Sequence, residues 1–335
     1  MFQRSISGLL ALLLLGAFAG DASAQSNKVT VAVGGKTIIA YLPLPAAYYH
    51  GDFKSEGLDV DIQDVQAGPK AVEALVGGSA DMVYGAIDYA FLLQPKGVQI
   101  KSIFLGAHLS AIVLGLPPDK ARAYKGPADL KGMTIGVTGP GGAAENMLRI
   151  ILAKGGLTLN DVTSVGVGSG STAIAAMETG KIQGISLADP VITRLTVDGF
   201  ILPVVDTRTL AGQTYVYGGP AALAGATTTA DYVKTHADTV QRYVTALVKA
   251  VKWLHTASNE EIIKLLPPEF YGGDKDIFDK VLTANRDIFT ADGRTTAQEQ
   301  QIAYQQVLDT GRLAKSQAID MAAIFDSRFV DRAAK

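Results

Sequence analysis

Asp88 and Asp189 are the carboxylates best placed for chemistry, because each directly follows a predicted strand at the equivalent point of two similar segments. Two carboxylates that face each other across a cleft could perform acid–base catalysis. More often such residues cap the next helix or accept hydrogen bonds from a ligand, and we favour that role. Tyr41, Tyr84 and Tyr89 could offer flat walls to a planar ligand, or pack in the core.

Four loops rich in glycine or serine precede predicted helices, at Gly35, Gly68, Gly142 and Ser169. The first turn of a helix has backbone N–H groups without intrahelical partners and the positive end of the helix dipole. It therefore favours an anionic or acceptor-rich group. Pro69 suits a first helical position. Each loop alone is also an ordinary helix start, and the functional hypothesis is that all four converge on one cleft.

Two phosphate-binding motifs are incomplete. Residues 139–144 satisfy the glycine spacing of a dinucleotide loop, yet no carboxylate stands at the end of the next predicted strand. Gly35-Lys36-Thr37 matches the end of a P-loop whose leading glycine would be Thr30. The four histidines share no metal-ligand spacing. The sequence therefore predicts no cofactor, no metal site and no catalytic residue.

The composition is typical of a folded protein of two domains. The 335 residues exceed one ordinary core, and 48% hydrophobic with 19% charged residues excludes bulk disorder. The net charge of -2 disfavours nucleic-acid binding. The absence of cysteine excludes disulfides, cysteine-ligated zinc, thiol nucleophiles and cysteine-linked lipid anchors.

The first 24 residues have the pattern of a secretory signal peptide. Arg4 precedes an apolar run over residues 9–19, and Ala22-Ser23-Ala24 supplies the small residues of a cleavage site. The run has about half of the ~20 residues that a bilayer span requires. We predict cleavage after Ala24 and export to the periplasm as a protein that is not a lipoprotein.

The chain contains a loose internal duplication. Gly57 and Gly156 are 99 residues apart, and Asp88 and Asp189 are 101 residues apart. Each segment alternates predicted strands and helices, as parallel β-α-β units with right-handed crossovers do. The sequence thus predicts two similar α/β lobes.

The C-terminal third is predicted to be helical. One long helix has an apolar face with spacings of three and four residues, formed by Val240, Tyr243, Val244, Leu247, Val248, Val251 and Leu254. Further helices are expected near residues 260–266, 274–289 and 297–313. We expect this region to pack on the first lobe, which requires two crossings and a hinge. The predicted division is 1–24 for the signal peptide, 25–115 with 221–335 for lobe one, and 116–220 for lobe two.

Three segments together resemble a known family: Gly57-Leu58-Asp59-Val60, residues 76–81 and residues 129–137. Their order and spacing are similar to those of the periplasmic solute-binding proteins of ABC importers, in the nitrate, sulfonate, taurine and thiamin-pyrimidine group. Residues 230–265 resemble that group's helical region. The resemblance implies a type II-like periplasmic-binding-protein fold with two doubly wound α/β lobes. It also implies a monomeric receptor that closes on a small organic or anionic ligand and delivers it to an ABC-type permease.

By position, the resemblance places ligand contacts in loops and helix starts of both lobes: Lys36, Thr37, Tyr41, Gly68, Pro69, Lys70, Ala86, Asp88, Thr138, Gly139, Gly141, Gly142, Ser169, Gly170, Ser171 and Asp189. Lys36 is the candidate for a charged contact. No arginine lies in these loops, so bidentate capture of an oxyanion is not expected. The ligand class stays open among sulfonates, nitrate, carboxylates, aromatic compounds and pyrimidines.

Two other functions are compatible with this architecture. Relatives of the same fold that make the thiamin pyrimidine use a cysteine-rich iron motif, and this chain has no cysteine. A regulatory effector-binding domain is disfavoured by the predicted export and by the lack of a recognisable helix-turn-helix region.

Overall fold

The computed structural model describes residues 27–334, so the predicted signal peptide lies outside the described residues. Within this range the strands are β1 Lys28–Val33, β2 Asp59–Asp64, β3 Met82–Ala86, β4 Ile100–Ala107, β5 Ile112–Leu116, β6 Thr134–Val137, β7 Thr163–Gly166, β8 Gly184–Ala188, β9 Leu202–Asp206 and β10 Ala224–Thr229.

The α-helices of the same range are α1 Pro43–His50, α2 Asp52–Ser55, α3 Gly68–Val76, α4 Asp88–Leu93, α5 Pro118–Ala123, α6 Ala143–Lys154, α7 Ser171–Glu178, α8 Val191–Val197, α9 Leu210–Tyr217, α10 Ala230–Thr235, α11 Ala237–Thr256, α12 Asn259–Leu265, α13 Lys275–Asn285, α14 Ala297–Asp309, α15 Met321–Ile324 and α16 Arg328–Ala333. None of these helices is long and apolar enough to cross a membrane.

The strands form two five-stranded sheets with equivalent topology. The order is β2-β1-β3-β10-β4 in lobe one and β7-β6-β8-β5-β9 in lobe two. In each sheet the first three strands are parallel, and the fourth runs antiparallel to its neighbours. The predicted fold of two α/β lobes with a helical C-terminal region is confirmed, and the internal duplication reflects this shared topology.

Both faces of the lobe-one sheet are covered by helices. Side chains alternate along each strand, so neighbouring residues enter different cores. Val29, Val31 and Val33 of β1 belong to the core that contains α1 and α11. Ala32 points to the opposite core, which contains α3, α4 and α14. This arrangement leaves the loops at the strand ends free to line a cleft.

The long C-terminal helix α11 buries its predicted apolar face. All seven residues named from the sequence are at most 2% exposed, and the helix packs against α1 and α16 of lobe one. Each large side chain buried in this way stabilises the fold by about 1.5–3 kcal/mol. The helical region therefore belongs to lobe one, as predicted.

The first crossing between lobes lies earlier than the sequence indicated. Strand β5 pairs with β8 and β9 in the sheet of lobe two, so the predicted boundary at residue 116 falls at the end of a lobe-two strand. The crossings are residues 108–111 and 218–223, and the Ala221 N–H donates to the His108 carbonyl at 2.9 Å. A strand buried on both faces looks the same in sequence whichever sheet it joins, which explains the difference.

Candidate functional site

A cavity of about 110 Å³ lies between the two lobes. Lobe one contributes the loop after β1, the start of α3 and the end of β3, and lobe two contributes the loop after β6 and the start of α6. Residues 303–312 of α14 and its following loop also line the cavity, as do the end of β8 and parts of both crossings between the lobes. The volume is of the order of the ~150 Å³ cavity that holds one benzene molecule.

Eight of the sixteen predicted site residues line this cavity. They are Tyr41, Gly68, Pro69, Ala86, Asp88, Thr138, Gly139 and Gly142. Three of the four loops expected to converge therefore do so, and the contact of these residues with a ligand stays a prediction.

The loop after β1 can approach α3 because Gly34 has no side chain. A Cβ at this position would lie 2.4 Å from the backbone nitrogen of Gly68. Such a distance is incompatible with any larger residue unless the backbone moves. Gly34 thus brings the first turn of α3 to the edge of the cavity.

Four predicted residues at the edge of the cleft do not line the cavity. Lys70, Gly170 and Ser171 are exposed, and Ser169 is half-buried. The Ser169 Oγ lies 3.0 Å from the point that a Cβ would take at Gly35. The fourth loop therefore faces the loop after β1 at the rim.

Gly141 and Thr37 are also outside the wall. The Gly141 carbonyl accepts a hydrogen bond from the Tyr89 hydroxyl at 3.1 Å, and its N–H donates to Glu145 Oε2 at 2.8 Å. Thr37 is half-buried in the loop after β1. The Tyr89 contact joins lobe one to lobe two beside the cavity.

Lys36 faces away from the cleft. Its Nζ donates to Glu269 Oε1 at 2.8 Å, and both side chains are well exposed. It borders a separate cavity of about 140 Å³ on lobe one, lined in part by Tyr48, Tyr49 and Phe270. Lys36, the residue predicted to make a charged contact with the ligand, therefore does not line the interlobe cavity.

Asp189 is enclosed by protein groups. Its carboxylate accepts from the Thr193 N–H at 2.7 Å, from Arg208 Nη1 at 3.0 Å and from Asn285 Nδ2 at 2.7 Å. Burial acts to lower the pKa of Arg208, but Asp206 and Asp189 outweigh it and raise that pKa. Since the Asp189 side chain is 0% exposed and does not line the cavity, the geometry supports a structural role.

The polar corner of the cavity is built by Asp88, Arg312 and Asn146. Asp88 Oδ2 accepts from Arg312 Nη1 at 2.6 Å and from Asn146 Nδ2 at 3.3 Å. The Arg312 guanidinium also stands 5.5 Å from the centre of the Tyr89 ring. Burial raises the pKa of Asp88, and the Arg312 charge offsets part of that rise. Asp88 comes from lobe one and Asn146 from lobe two, so this corner also bridges the cleft.

Three buried polar atoms of the cavity residues have no hydrogen-bond partner within residues 27–334: Asp88 Oδ1, Asn146 Oδ1 and Gln306 Nε2. Asn146 is only 8% exposed. A buried polar atom without a partner carries a free-energy penalty of about 1–3 kcal/mol. A bound molecule with matching groups would remove this penalty.

Sequence reasoning missed the part of the wall that comes from the C-terminal region. Ala303, Gln306 and Thr310 recur every three or four residues on one face of α14 and its end, and Arg312 follows. The predicted loops contain no arginine, but Arg312 reaches the cavity from 224 positions beyond Asp88 in the chain. Polar residues interrupting the inner face of α14 were the available signal.

With the geometry in place, the comparisons with known proteins assign the family. The model of the NMT1-like family matches residues 24–266. The chain belongs to the NMT1-like family. A solved structure from Bordetella bronchiseptica RB50 is 36% identical to this NMT1-like protein, covers 92% of it and 97% of its own chain, and superposes with a TM-score of 0.86.

More distant matches share the fold. The periplasmic aliphatic sulphonate binding protein SsuA from Escherichia coli is 18% identical, with 90% of this chain and 92% of its own covered, at a TM-score of 0.67. The TM-score establishes a common fold despite the low identity. Together with the family match over residues 24–266, it confirms the resemblance inferred from sequence.

Curated relatives match over shorter segments. A binding protein of Brucella abortus (strain 2308) is 31% identical over 145 residues, and the match spans 42% of each chain. The 4-amino-5-hydroxymethyl-2-methylpyrimidine phosphate synthase of Schizosaccharomyces pombe is 28% identical over 161 residues, or 48% of this chain and 44% of its own. The chain thus matches less than half of the length of these relatives.

Proposed function

We propose that this protein is an extracytoplasmic solute-binding receptor that captures a small molecule between its lobes and delivers it to an ABC-type permease. The observation that carries the proposal is the interlobe cavity with its unpartnered Asn146 Oδ1, Asp88 Oδ1 and Gln306 Nε2. These atoms come from both lobes and from the helical region. A single ligand that satisfied them would hold all three parts together.

Ligand-driven closure follows from this arrangement. A ligand shifts an open–closed equilibrium only if it binds the two states differently. Direct bonds already span the cleft, from Tyr89 to Gly141 at 3.1 Å and from Asn146 to Asp88 at 3.3 Å. A ligand that contacts Asp88 and Asn146 at once would add to them only in the closed state, and hinge motion at residues 108–111 and 218–223 would open it.

Export and delivery complete the proposal. The signal-peptide pattern of residues 1–24 supports a periplasmic location, and the lack of cysteine supports a form that is not a lipoprotein. A permease and its cytoplasmic ATPase would be the partners of a monomeric receptor. We propose binding without catalysis or a cofactor, a role supported by the family resemblance and by the absence of the cysteine-rich motif used by the thiamin-pyrimidine enzymes.

A thermal-shift screen of the purified protein tests the function. The panel should contain sulfonates, nitrate, carboxylates, aromatic amides, pyrimidines and amino acids. A ligand at a hundred times its dissociation constant stabilises by about 2.7 kcal/mol, which raises the melting temperature of about 300 folded residues by roughly 4 °C. If no compound of a broad library shifts the melting temperature, the receptor function is refuted.

Asn146→Leu locates the binding site. This change removes the buried oxygen and should abolish the shift produced by any active compound. Asn160→Ala is the matched control, because Asn160 is an exposed asparagine of the same lobe. Retention of the full shift by Asn146→Leu would place the ligand outside the interlobe cavity.

A further inference from the structure

The positive charge of the cavity wall already has a protein carboxylate as its partner. Among the described residues that line the cavity, only Asp88 and Arg312 carry full charges, and they are 2.6 Å apart. The wall is therefore close to neutral. An oxyanion would have to displace Asp88 from Arg312 or bind beside it.

The loop at the start of α6 also already has a protein carboxylate as its partner. Glu145, in the first turn of α6, accepts from the Gly141 N–H at 2.8 Å and from the Ser164 hydroxyl at 2.8 Å. Glu145 is 7% exposed, so this carboxylate is held inside the protein. A carboxylate in the first turn compensates the helix dipole. The second feature expected to attract an anion thus already has its negative charge.

The unpartnered oxygen atoms of the polar corner, Asp88 Oδ1 and Asn146 Oδ1, require hydrogen-bond donors. Asn146 Nδ2 donates to Asp88, so the unpartnered oxygens of these two residues belong to adjacent side chains. The remaining unpartnered atom, Gln306 Nε2, requires an acceptor. Much of the other wall is aliphatic and includes Ile38, Ile112, Ile150 and Val307.

Building on the receptor function proposed above, we propose that the ligand is an uncharged, largely apolar molecule with N–H or O–H donors, and that Asp88 is the residue that excludes oxyanions. Because Asp88 already compensates the charge of Arg312, an oxyanion gains no net attraction at this corner, and one that lies nearer to Asp88 than to Arg312 is repelled. Displacement of Asp88 would instead leave a buried carboxylate without its cationic partner. Specificity thus comes from a repulsive element as well as from attractive contacts.

Matched compounds that differ in charge test this assignment. Benzamide with benzoate, nicotinamide with nicotinate, and methanesulfonamide with methanesulfonate are titrated by calorimetry and thermal shift into the purified protein. The wild type should bind the uncharged member of a pair at least tenfold more tightly. Asp88→Asn should bind the anionic member at least tenfold more tightly than the wild type does. Asp59→Asn, an exposed aspartate of the same lobe, should leave both affinities unchanged.

The double variant Asp88→Asn with Arg312→Gln guards against a folding defect, because it leaves neither charge without a partner. It should bind the uncharged compounds and gain no affinity for anions. Tighter binding of anions by the wild type, with no gain in Asp88→Asn, would overturn the charge assignment and leave the receptor function standing. Failure of every compound, in the pairs and in the broad screen, to bind the wild type and both variants would overturn the receptor function and the assignment together.

Discussion

Replacement of Asp189 by alanine should destabilise the ligand-free protein by about 3 kcal/mol. The change removes the acceptor of the Thr193 N–H, the partner of Arg208 and a bond from Asn285, which comes from the helical region of lobe one. Breaking a buried ion pair from one side typically destabilises by about 3–5 kcal/mol. We use the lower limit because Arg208 keeps Asp206, at 2.6 Å and 2.9 Å.

The assay is thermal or urea unfolding of the ligand-free variants. For about 300 folded residues, 3 kcal/mol corresponds to a fall of roughly 5 °C in the melting temperature. Asp198→Ala, directly after α8, is the matched control, because the Asp198 side chain is 33% exposed and its ion pair with Arg194 spans 3.7 Å. A loose exposed pair of this kind contributes about 0–1 kcal/mol.

A measurement of ligand affinity distinguishes a structural role of Asp189 from a direct contact with the ligand. Since its side chain does not line the cavity, Asp189→Ala should reduce the affinity of a stabilising compound by less than tenfold. An unchanged melting temperature without ligand, combined with a larger loss of affinity, would refute the structural role. It would restore the ligand contact that the sequence suggested.

Three further predictions concern other parts of the structure. Lys36→Ala should leave ligand affinity unchanged, because Lys36 does not line the interlobe cavity, and should alter stability by less than about 1 kcal/mol, because its ion pair is exposed. A tenfold loss of affinity in calorimetry would show that Lys36 does contact the ligand. The hydrogen bond with Glu299 raises the pKa of His108 above 6.5, so its stabilisation is complete below that pH and is lost as pH rises through the folded-state pKa. His108→Gln should therefore lose more stability at pH 5.5 than at pH 8.5 in urea unfolding, and equal losses would contradict this. Gly34→Ala should destabilise the protein by about 1–3 kcal/mol and abolish ligand-induced shifts in melting temperature, because it displaces α3. Gly139→Ala is the control and should retain normal stability, because its Cβ would meet nothing within 4 Å. Equal stability of the two variants would refute the role given to Gly34.

The elements that depend on local patterns were predictable. The apolar spacing along α11 identifies a helix and its buried face, because the helical repeat determines which side chains share a side. The strand before residue 34 and the glycine loops after it are recognisable for similar reasons. Half of the predicted site residues line the cavity, since loops at the carboxyl ends of parallel strands meet at one edge of a sheet.

The errors occur where a local pattern has more than one tertiary outcome. The sequence of β5 predicts a buried strand, but only its pairing with β8 and β9 assigns it to lobe two. Asp189 follows a strand just as Asp88 does and also bonds to an arginine and an asparagine, yet its side chain is fully buried and does not line the cavity. Equivalent positions in duplicated lobes can therefore have different neighbours and different roles.

Local sequence patterns suffice to predict the two α/β lobes, the helical region and the family resemblance, because these depend on periodicity and on motifs whose residues are close along the chain. The electrostatics of the cavity depend instead on contacts between distant parts of the chain. Asp88 and Arg312 are 224 positions apart, with all of lobe two between them, and only the return of the helical region onto lobe one brings Arg312 Nη1 to 2.6 Å from Asp88 Oδ2. Side-chain type states what a residue can bind, whereas the folded chain decides whether a protein group already occupies it.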